Sequence, residues 1–597
     1  MPRKMVAVGL VIIAAVVFIF YYPSLKVGFF ADEYQFLERA ASSPEQYARS
    51  IWDYPYFRPV QFILIGIEYF FFGSAPVAYH VVQILLHLAN TLLLYALVSR
   101  VTQKWQLGFL SVLFYVIFPV YSPAVFWPAV ADPLSTFFYL LAICFWVLYL
   151  QTQSEWYFVL TLATFILALL TKEMNATLLM TLLLVNWLLV STDRARERKL
   201  WKRYVVLGVV WIAYMIFVAI HLFFSAPTNN PNAFFVFAQR TAAEVVVYLL
   251  ALVAPWGLDP TVQFVWLLAG LLLFSFFIGK TKSRFLIFLG IETIWVVLPL
   301  LPFLGSRGRY LYMPIMISAI LLSGLVFLLV QATTKRTWRA VIAVVVAIVV
   351  VGNGWSIAEA TENYAAIVRE HREPIRVASR SYPTVPNDML FYFIDPPTDN
   401  AFLTGMFFLQ YGRGVIVKTT ETNAPAGLCD HVRAAVLYSA ETAGVKAQDV
   451  NCSSSFKTIP DAPVNFGVPI RLEGYEVASP TVKKGEAIIL LLYWHALGKV
   501  DQDYTVFVHL VNENGEIVAA NDAQPQDAKS PTSSWHPNQW IIDPIIMPVL
   551  SNVAAESGYR LEVGLYYLPT MERALITDEH AMPVGDHLVI QSFSIGD

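Results

Sequence analysis

Residues Met5–Tyr22 read MVAVGLVIIAAVVFIFYY, an uninterrupted apolar run that follows the basic pair Arg3 and Lys4. A helix needs about 20 mostly apolar residues to cross the hydrocarbon core of a bilayer. The run is longer than the core of a signal peptide, and no small-residue cleavage site follows it. It therefore predicts a retained first transmembrane helix, and the chain repeats this pattern many times.

The overall composition agrees with a membrane protein. Hydrophobic residues make up 57% of the 597-residue chain, and its mean hydropathy is +0.57. In soluble globular proteins the apolar fraction is at most about half. The net charge is −3, and the basic residues form short clusters between apolar segments, without the basic stripe that binds a polyanion. We therefore expect a bilayer environment and no nucleic-acid partner.

Apolar windows of suitable length recur as far as residue 356 and predict about eleven spans. They lie near residues 5–23, 79–98, 106–121, 132–150, 156–171, 174–191, 204–224, 261–279, 285–302, 311–330 and 340–356. Two other apolar runs fit poorly as spans. Val245–Pro255 would reverse the side of every later loop, so we interpret it as re-entrant or interfacial. Arg58–Gly73 contains several polar residues and suits a helix at the membrane surface.

The basic loops fix the orientation. They all fall on the same side of the membrane and comprise Arg3/Lys4, Arg100/Lys104, residues 194–203, Lys280/Lys282/Arg284 and Lys335/Arg336/Arg339. Such clusters are typical of cytoplasmic loops. The N-terminus is therefore predicted to be cytoplasmic and the region after the last span extracytoplasmic.

The region after the spans has the composition of a soluble part. Short strand and helix signals over residues 357–462 predict an α/β linker domain. From residue 463 to 597 several short segments alternate apolar and polar residues, which is typical of a β-sandwich. The sequence thus predicts three domains: a membrane domain at 1–356, the linker and the sandwich.

The tryptophans of the soluble part allow two interpretations, and so do its two cysteines. Trp494, Trp535 and Trp540 are either core residues, which is commoner in strands, or a platform for a sugar. Cys429 and Cys452 either bridge, as an extracytoplasmic location permits, or stay free.

Ionisable residues at or near membrane depth are the candidates for function, because their burial is costly. Asp32 and Glu33 lie just beyond the first span, in the stretch Gly28-Phe29-Phe30-Ala31-Asp32-Glu33-Tyr34. An acidic pair in a loop is usually solvated, whereas apolar neighbours would hold this pair at the bilayer surface.

A polar stripe lies in the second span. His80, Gln83, His87 and Asn90 are spaced to share one helix face. Hydrogen bonding between helices is the commoner role of such a stripe. The two histidines are about 10 Å apart along a helix, so they cannot chelate one ion by themselves.

Basic residues also occur in loops on the outer side, against the charge trend. Lys172-Glu173 is either a self-neutralising pair or part of a site. Arg307 and Arg309, in Ser306-Arg307-Gly308-Arg309-Tyr310, could bind phosphate, because guanidinium groups hold phosphate oxygens bidentately. Carboxylates and arginines on one face suit displacement of a phosphate leaving group from a membrane lipid.

The order of these motifs along the membrane half resembles that of GT-C glycosyltransferases, and more narrowly of dolichyl-phosphate-mannose protein mannosyltransferases and their bacterial relatives. The motifs are Asp32-Glu33, Phe57-Arg58-Pro59, His80…His87…Asn90, Phe118-Pro119, Asp132, Lys172-Glu173 and Arg309-Tyr310-Leu311-Tyr312. The resemblance implies a GT-C-like α-helical polytopic bundle. The β-sandwich end departs from the eukaryotic members, so the acceptor cannot be carried over.

The resemblance further implies a reaction. A sugar would move from a polyprenyl-phosphate carrier to an acceptor hydroxyl at the extracytoplasmic face, with inversion, Asp32 as general base and Glu33 beside it. The phosphate-binding candidates are Arg58, Lys172, Arg307 and Arg309. The supporting polar residues are His80, His87, Asn90, Asp132, Glu173 and Tyr310.

The remaining expectations concern ligands and rival functions. No cofactor is required by the motifs, although a divalent metal near Asp32, Glu33 and His80 is possible. The acceptor would be a protein, a glycan or a lipid. Two other functions remain open: a secondary transporter, which should show paired repeats, and a non-catalytic envelope anchor that carries a carbohydrate-binding β module.

Overall fold

The structure is a computed structural model that describes residues 3–54, 56–119, 122–189, 194–225, 283–297, 308–420, 427–440, 444–450, 463–550, 552–578 and 580–596. The chain forms two compact units, Met1–Arg369 and Glu370–Asp597. The first is helical and the second is built mainly of β-sheets. The predicted boundary at residue 356 falls inside the last helix of the first unit, which continues to His371.

The first unit consists of fourteen described α-helices with short connections. They are α1 (Arg3–Tyr21), α2 (Asp32–Ala40), α3 (Pro44–Asp53), α4 (Pro59–Phe72), α5 (Pro76–Thr102), α6 (Trp105–Val116), α7 (Pro123–Phe126), α8 (Asp132–Thr152), α9 (Glu155–Leu169), α10 (Leu178–Leu184), α11 (Arg194–Ser225), α12 (Arg284–Val297), α13 (Ile315–Ala332) and α14 (Arg336–His371). Tyr22–Lys26, Glu173–Thr177 and Gly308–Leu311 form 3₁₀ turns, and Val185–Leu189 is a π-helical turn.

Six helical segments of the described part are long and apolar enough to cross a membrane: Val8–Lys26, Pro76–Thr102, Asp132–Thr152, Leu200–His221, Ile315–Ala332 and Arg336–His371. Four shorter apolar helical segments accompany them: Pro59–Phe72, Trp105–Val116, Glu155–Leu169 and Glu173–Leu189. A helix satisfies its own backbone hydrogen bonds, which the hydrocarbon core requires. The prediction of a polytopic helical membrane protein is confirmed.

Some predicted elements lie outside the described residues. These are the apolar run Val245–Pro255, the span near 261–279 and the end of the span near 285–302. The count of about eleven spans stays a prediction. The run predicted as a surface helix at Arg58–Gly73 does form a helix, α4, which begins at Pro59.

The second unit begins with two helices and a mixed four-stranded sheet. The helices are α15 (Glu373–Ser381) and α16 (Asn400–Tyr411). The strands are β1 (Met389–Ile394), β2 (Val415–Thr419), β3 (Arg433–Ala440) and β4 (Gly444–Asp449), in the order β2-β1-β3-β4. β1 pairs in parallel with β2 and β3, and β4 is antiparallel to β3.

Two six-stranded sheets follow. Their strands are β5 (Val464–Asn465), β6 (Ile470–Val477), β7 (Thr481–Lys483), β8 (Ala487–Ala496), β9 (Tyr504–Val511), β10 (Ile517–Ala523), β11 (Trp540–Pro548), β12 (Ser557–Tyr567), β13 (Glu572–Arg573), β14 (Ile576–Thr577), β15 (Pro583–Gly585) and β16 (Leu588–Gly596). One sheet has the order β11-β8-β6-β5-β14-β15. The other has the order β10-β9-β12-β16-β7, with β13 beside β12. The prediction of a C-terminal β-sheet region is confirmed.

Side chains alternate across the sheet that contains β8, and both of its faces are buried. Leu490, Leu492 and Trp494 point into a core shared with the other six-stranded sheet. Ile489 and Leu491 belong to a second core, shared with the four-stranded sheet. This explains why β8 is an almost continuous apolar run and not an alternating one.

Two of the three cysteines lie in the described part of the chain. Cys144 is a free thiol in α8. Cys429 is disulfide-bonded. Its predicted partner Cys452 lies outside the described residues.

Candidate active site

The acidic pair lies at the start of α2, directly after an unusual backbone conformation. Ala31 has φ +50° and ψ −118° and precedes the first residue of the helix, Asp32. A positive φ is uncommon for a residue with a side chain and is typically found where the surrounding structure enforces it. The loop is therefore held in a defined shape where it delivers Asp32.

The structure separates the two acids. Asp32 is half-buried and lines a cavity. Glu33 is 3% exposed, and its carboxylate accepts backbone hydrogen bonds from Phe30 (2.5 Å) and Ala129 (3.2 Å). Burial raises the pKa of Glu33 well above its ordinary value. Glu33 joins two loops and does not line the cavity, which corrects its expected place beside Asp32.

Most of the predicted site residues line that one cavity, which has a volume of about 250 Å³. The predicted residues among its lining are Asp32, Arg58, Asp132, Lys172, Glu173, Arg309 and Tyr310. They come from segments far apart in sequence. Short motifs that are distant in the sequence thus meet at one cavity.

Arg58 and Glu173 form a bidentate ion pair. Nε of Arg58 donates to Oε2 of Glu173 at 3.0 Å, and Nη2 donates to Oε1 at 2.6 Å. Burial opposes the ionisation of Glu173, but the guanidinium of Arg58 outweighs it and holds the pKa of this carboxyl below its ordinary value. The guanidinium also lies 4.8 Å from the ring centroid of Tyr56. This cation is therefore fixed in place at the cavity wall.

Lys172 and Asp132 form a second ion pair. Nζ of Lys172 donates to Oδ1 of Asp132 at 2.6 Å, and their side chains are only 3% and 6% exposed. The ammonium also lies 5.0 Å from the ring centroid of Tyr310. Lys172 is therefore neutralised by Asp132, and not by Glu173, its neighbour in the sequence.

Arg309 is held by aromatic rings. Its guanidinium carbon lies 4.4 Å from the ring centroid of Trp127 and 5.3 Å from that of Tyr310. The side chain is 9% exposed, and Nη1 has no hydrogen-bond partner among the described residues. Aromatic faces attract a guanidinium without using its N–H donors. Arg309 therefore keeps donors for a ligand.

The charges of the cavity do not all cancel in pairs. Two of the three cations are paired with carboxylates. In the described part of the chain we find no ion pair or side-chain hydrogen bond for Asp32, and no ion pair for Arg309. The pairing therefore leaves one carboxylate able to accept a proton and one guanidinium able to bind an anion.

The polar stripe of α5 binds backbone carbonyls of two loops and of the start of α8. His80 Nε2 lies 3.1 Å from the oxygen of Val27, Gln83 donates to Pro128 at 2.8 Å and Asn90 donates to Pro133 at 2.8 Å. Farther along, His87 Nδ1 lies 2.8 Å from the hydroxyl of Tyr312. These side chains are buried and do not line the cavity. They position the loops.

The remaining predictions concern Arg307 and a metal. Arg307 lies outside the described residues. Asp32, Glu33 and His80 do not come together: over the described ranges, no three His, Cys, Asp or Glu side chains form a group that could hold a metal. The physical reason is that His80 and Glu33 are already engaged with backbone groups on either side of the loop.

Sequence reasoning missed the aromatic and amide residues of the site. Tyr54, Tyr56 and Gln61 line the cavity, and Oε1 of Gln61 is buried without a hydrogen-bond partner in the described part of the chain. Tyr364 of α14 packs edge-on against Phe30, with ring centroids 5.4 Å apart. The alternation Tyr54-x-Tyr56-x-Arg58 could have indicated that the two tyrosines share a face with Arg58. No sequence pattern indicated Tyr364, because its contact with Phe30 depends on the path of α14.

Part of the membrane half is similar to a known protein family. Residues 53–223 match the model of the dolichyl-phosphate-mannose-protein mannosyltransferase family. That segment contains Arg58, Asp132, Lys172 and Glu173, but not Asp32 or Arg309. No curated protein sequence matches the chain.

Among solved structures, the crystal structure of ArnT from Cupriavidus metallidurans bound to undecaprenyl phosphate is similar to this chain. The two share 15% identity, and the alignment covers 74% of this chain and 94% of that chain at a TM-score of 0.44. The family match confirms the resemblance to dolichyl-phosphate-mannose-protein mannosyltransferases over residues 53–223, and with it the prediction of a membrane glycosyltransferase.

Proposed function

We propose that the chain transfers a sugar from a polyprenyl-phosphate carrier to an acceptor hydroxyl, in the cavity lined by Asp32 and Arg309. Dolichyl phosphate, the carrier named in the matching family, is itself a polyprenyl phosphate. A lipid-linked donor also suits a cavity formed by loops between membrane helices. The single observation that carries the proposal is that Asp32 and Arg309, which have no ion pair within the described ranges, lie in one cavity whose other charges are paired.

The reaction is a single displacement. The acceptor oxygen attacks the anomeric carbon while its proton passes to the carboxylate of Asp32. The bond between the anomeric carbon and the phosphate oxygen breaks, and the lipid phosphate leaves with the electron pair. Attack from the side opposite the leaving group inverts the configuration of that carbon.

The cations have different parts in this proposal. Arg309 binds the phosphate oxygens first, because its Nη1 needs no other partner displaced. Lys172 and Arg58 add positive charge nearby while remaining paired with Asp132 and Glu173. Charge that develops on the leaving phosphate is stabilised by donors already in place.

The proposal requires no cofactor, and it leaves a protein, glycan or lipid as acceptor. A chelator should therefore leave transfer intact in purified enzyme. Loss of transfer on chelation with recovery on adding back a divalent metal would revise this part, and would leave the donor and the base unaffected.

We further propose that the cavity opens on the extracytoplasmic side, with the N-terminus in the cytoplasm, because the basic clusters belong to the opposite set of loops. An impermeant thiol reagent would test this on intact cells in a Cys144→Ser background. We expect labelling of Glu45→Cys, on α3, in intact cells. Lys104→Cys, between α5 and α6, should be labelled only after permeabilisation. The reverse pattern would contradict the orientation.

The test of function is donor consumption by the purified full-length protein. Polyprenyl-phosphate hexoses and pentoses are supplied one at a time with a mixture of acceptors, and released polyprenyl phosphate and transferred sugar are measured together. A glycosyltransferase releases them in equal amounts. Sugar flux into vesicles without donor consumption would indicate a transporter, and neither signal would indicate an anchor.

A further inference from the structure

The second unit contains an aromatic surface that the proposed reaction does not use. Of its three sequence-predicted platform residues, Trp494 and Trp535 are 0% and 3% exposed and belong to the core. Trp540 is 41% exposed at the first position of β11. β11 is the outermost strand of its sheet among the residues that the structure describes. The expected platform is therefore reduced to one indole.

This indole is supported from behind. Trp540, His495 and Arg471 are aligned in register across β11, β8 and β6. The rings of Trp540 and His495 are stacked, with centroids 5.0 Å apart and an interplanar angle of 15°. His495 Nδ1 lies 2.8 Å from Oε1 of Glu473, which also accepts from Nε of Arg471 at 2.7 Å. The chain of contacts fixes the plane of the indole before any ligand arrives.

The turn that leads into Trp540 carries exposed polar residues. His536, Asn538 and Gln539 are exposed. The turn is held by hydrogen bonds from Asn538 N to the oxygen of Ala496 (2.7 Å) and from His536 N to Oε1 of Gln539 (2.8 Å). A fixed aromatic face with amide and imidazole groups beside it can bind an apolar ring face and hydroxyl groups together.

We propose that Trp540, supported by His495 and Glu473, is a saccharide-binding site of the second unit. A pyranose has an apolar C–H face that stacks on an indole and hydroxyls at its rim that meet the turn 536–539. A protein partner would need a much larger interface, typically about 800 Å² on each side. The proposal concerns binding only and does not depend on transfer at the Asp32 cavity.

The rigidity of the platform predicts how the site responds to mutation. Trp540→Ala removes the face and should weaken binding about tenfold or more, as loss of a central aromatic contact does. Trp540→Tyr should retain part of the affinity. Glu473→Ala should weaken binding to a smaller extent, because it frees His495 while leaving the indole in place.

The experiment uses full-length protein in detergent on an array of neutral hexose oligosaccharides, including α-mannan and β-glucan fragments. Saturable binding is expected from the wild type, from Asp32→Asn and from Leu550→Ala, which removes a 60% exposed apolar side chain elsewhere in the unit. Trp540→Ala should lose it with an unchanged unfolding temperature.

Two results would overturn the proposal. One is equal binding by the wild type and Trp540→Ala. The other is the absence of saccharide binding by the wild type. Binding of the wild type to phosphatidylglycerol vesicles through Trp540, without saccharide binding, would equally overturn the proposal. Because Asp32→Asn is inactive if the proposed function is right, its binding separates failure of this site from failure of the catalytic assignment.

Discussion

Two neighbouring carboxylic acids have different environments and therefore different chemistry. Asp32 lines the cavity, whereas Glu33 is buried against two backbone N–H groups. At the residue scale, the proposed base is identified by its access to the cavity, which Asp32 has and Glu33 lacks.

The first prediction concerns Glu33→Gln. The raised pKa of Glu33 favours its neutral form, which glutamine resembles, so sugar transfer should persist. The amide can accept only one of the two backbone hydrogen bonds, so the free energy of unfolding should fall by about 1–3 kcal/mol. Thermal unfolding and transfer rate are measured on the same preparation. Loss of transfer at unchanged stability would instead give Glu33 a direct role.

The sequence identified most charged residues of the site but could not assign their partners. Lys172 and Glu173 are adjacent, and a self-neutralising pair was one interpretation. In the structure they point to different partners, Asp132 and Arg58. Lys172 has an extended backbone and Glu173 begins a 3₁₀ turn. Which partner each side chain meets depends on how distant loops pack, and the sequence does not specify this.

At the scale of elements, α5 shows what periodicity can and cannot predict. The spacing of His80, Gln83, His87 and Asn90 predicts one helix face, and all four side chains are buried in the structure. Hydrogen bonding to neighbouring segments was the commoner expectation, and the observed partners are mostly carbonyls of loops. A helix face is a local property of the sequence, whereas its partners are set by tertiary contacts.

The Lys172–Asp132 pair ties the start of α8 to the segment after α9, and it gives the second prediction. Lys172→Met or Asp132→Asn alone leaves a buried group uncompensated and should cost about 3–5 kcal/mol of unfolding free energy. The double variant should cost less than the sum of the two. Transfer should fall in all three, because the cation is lost or displaced.

Thermal unfolding of the four proteins completes this double-mutant cycle. Arg49→Met is the matched control, since it breaks an ion pair with Glu45 whose side chains are 72% and 86% exposed. It should change neither stability nor transfer appreciably. Additive losses for Lys172 and Asp132 would show that the pair is not an energetic unit.

A pH dependence in the second unit gives the third prediction. Asp543 is 1% exposed and accepts hydrogen bonds from Gln526 N (2.7 Å) and Trp494 Nε1 (3.3 Å). Burial raises the pKa of Asp543 to about 6. Because the pKa of Asp543 is raised in the folded state, protonated Asp543 contributes to the stability of the fold. This contribution is complete below the usual carboxyl pKa and is lost as the pH rises through about 6.

Hydrogen exchange of the full-length protein measures this effect. The loop at residues 524–531 should lose protection, after correction for intrinsic exchange, as the pH rises from about 4 to about 7, with a change in opening free energy of at most about 3 kcal/mol. Asp543→Asn should remove the pH dependence. Protection that increases over this range in the wild type would contradict the assignment.

At the scale of the whole molecule, hydropathy and strand patterns predicted the division into a helical membrane part and a β-rich part. The predicted boundary at residue 356 lies within α14, which continues past its apolar stretch to His371. The helix keeps its backbone hydrogen bonds after hydropathy falls, so composition marks the end of the apolar stretch and not of the helix. The cavity depends on how loops from distant parts of the sequence are arranged in space. The sequence could therefore predict candidate residues for the site, but not that they line one cavity.

Asp32 is the proposed base of a sugar transfer from a lipid phosphate. The most direct measurement is the single-turnover rate of transfer by purified Asp32→Asn beside the wild type, with donor binding and unfolding temperature recorded for both. Loss of a general base should lower the rate by at least about 100-fold while binding and stability are unchanged. A rate for Asp32→Asn equal to that of the wild type would contradict the central claim.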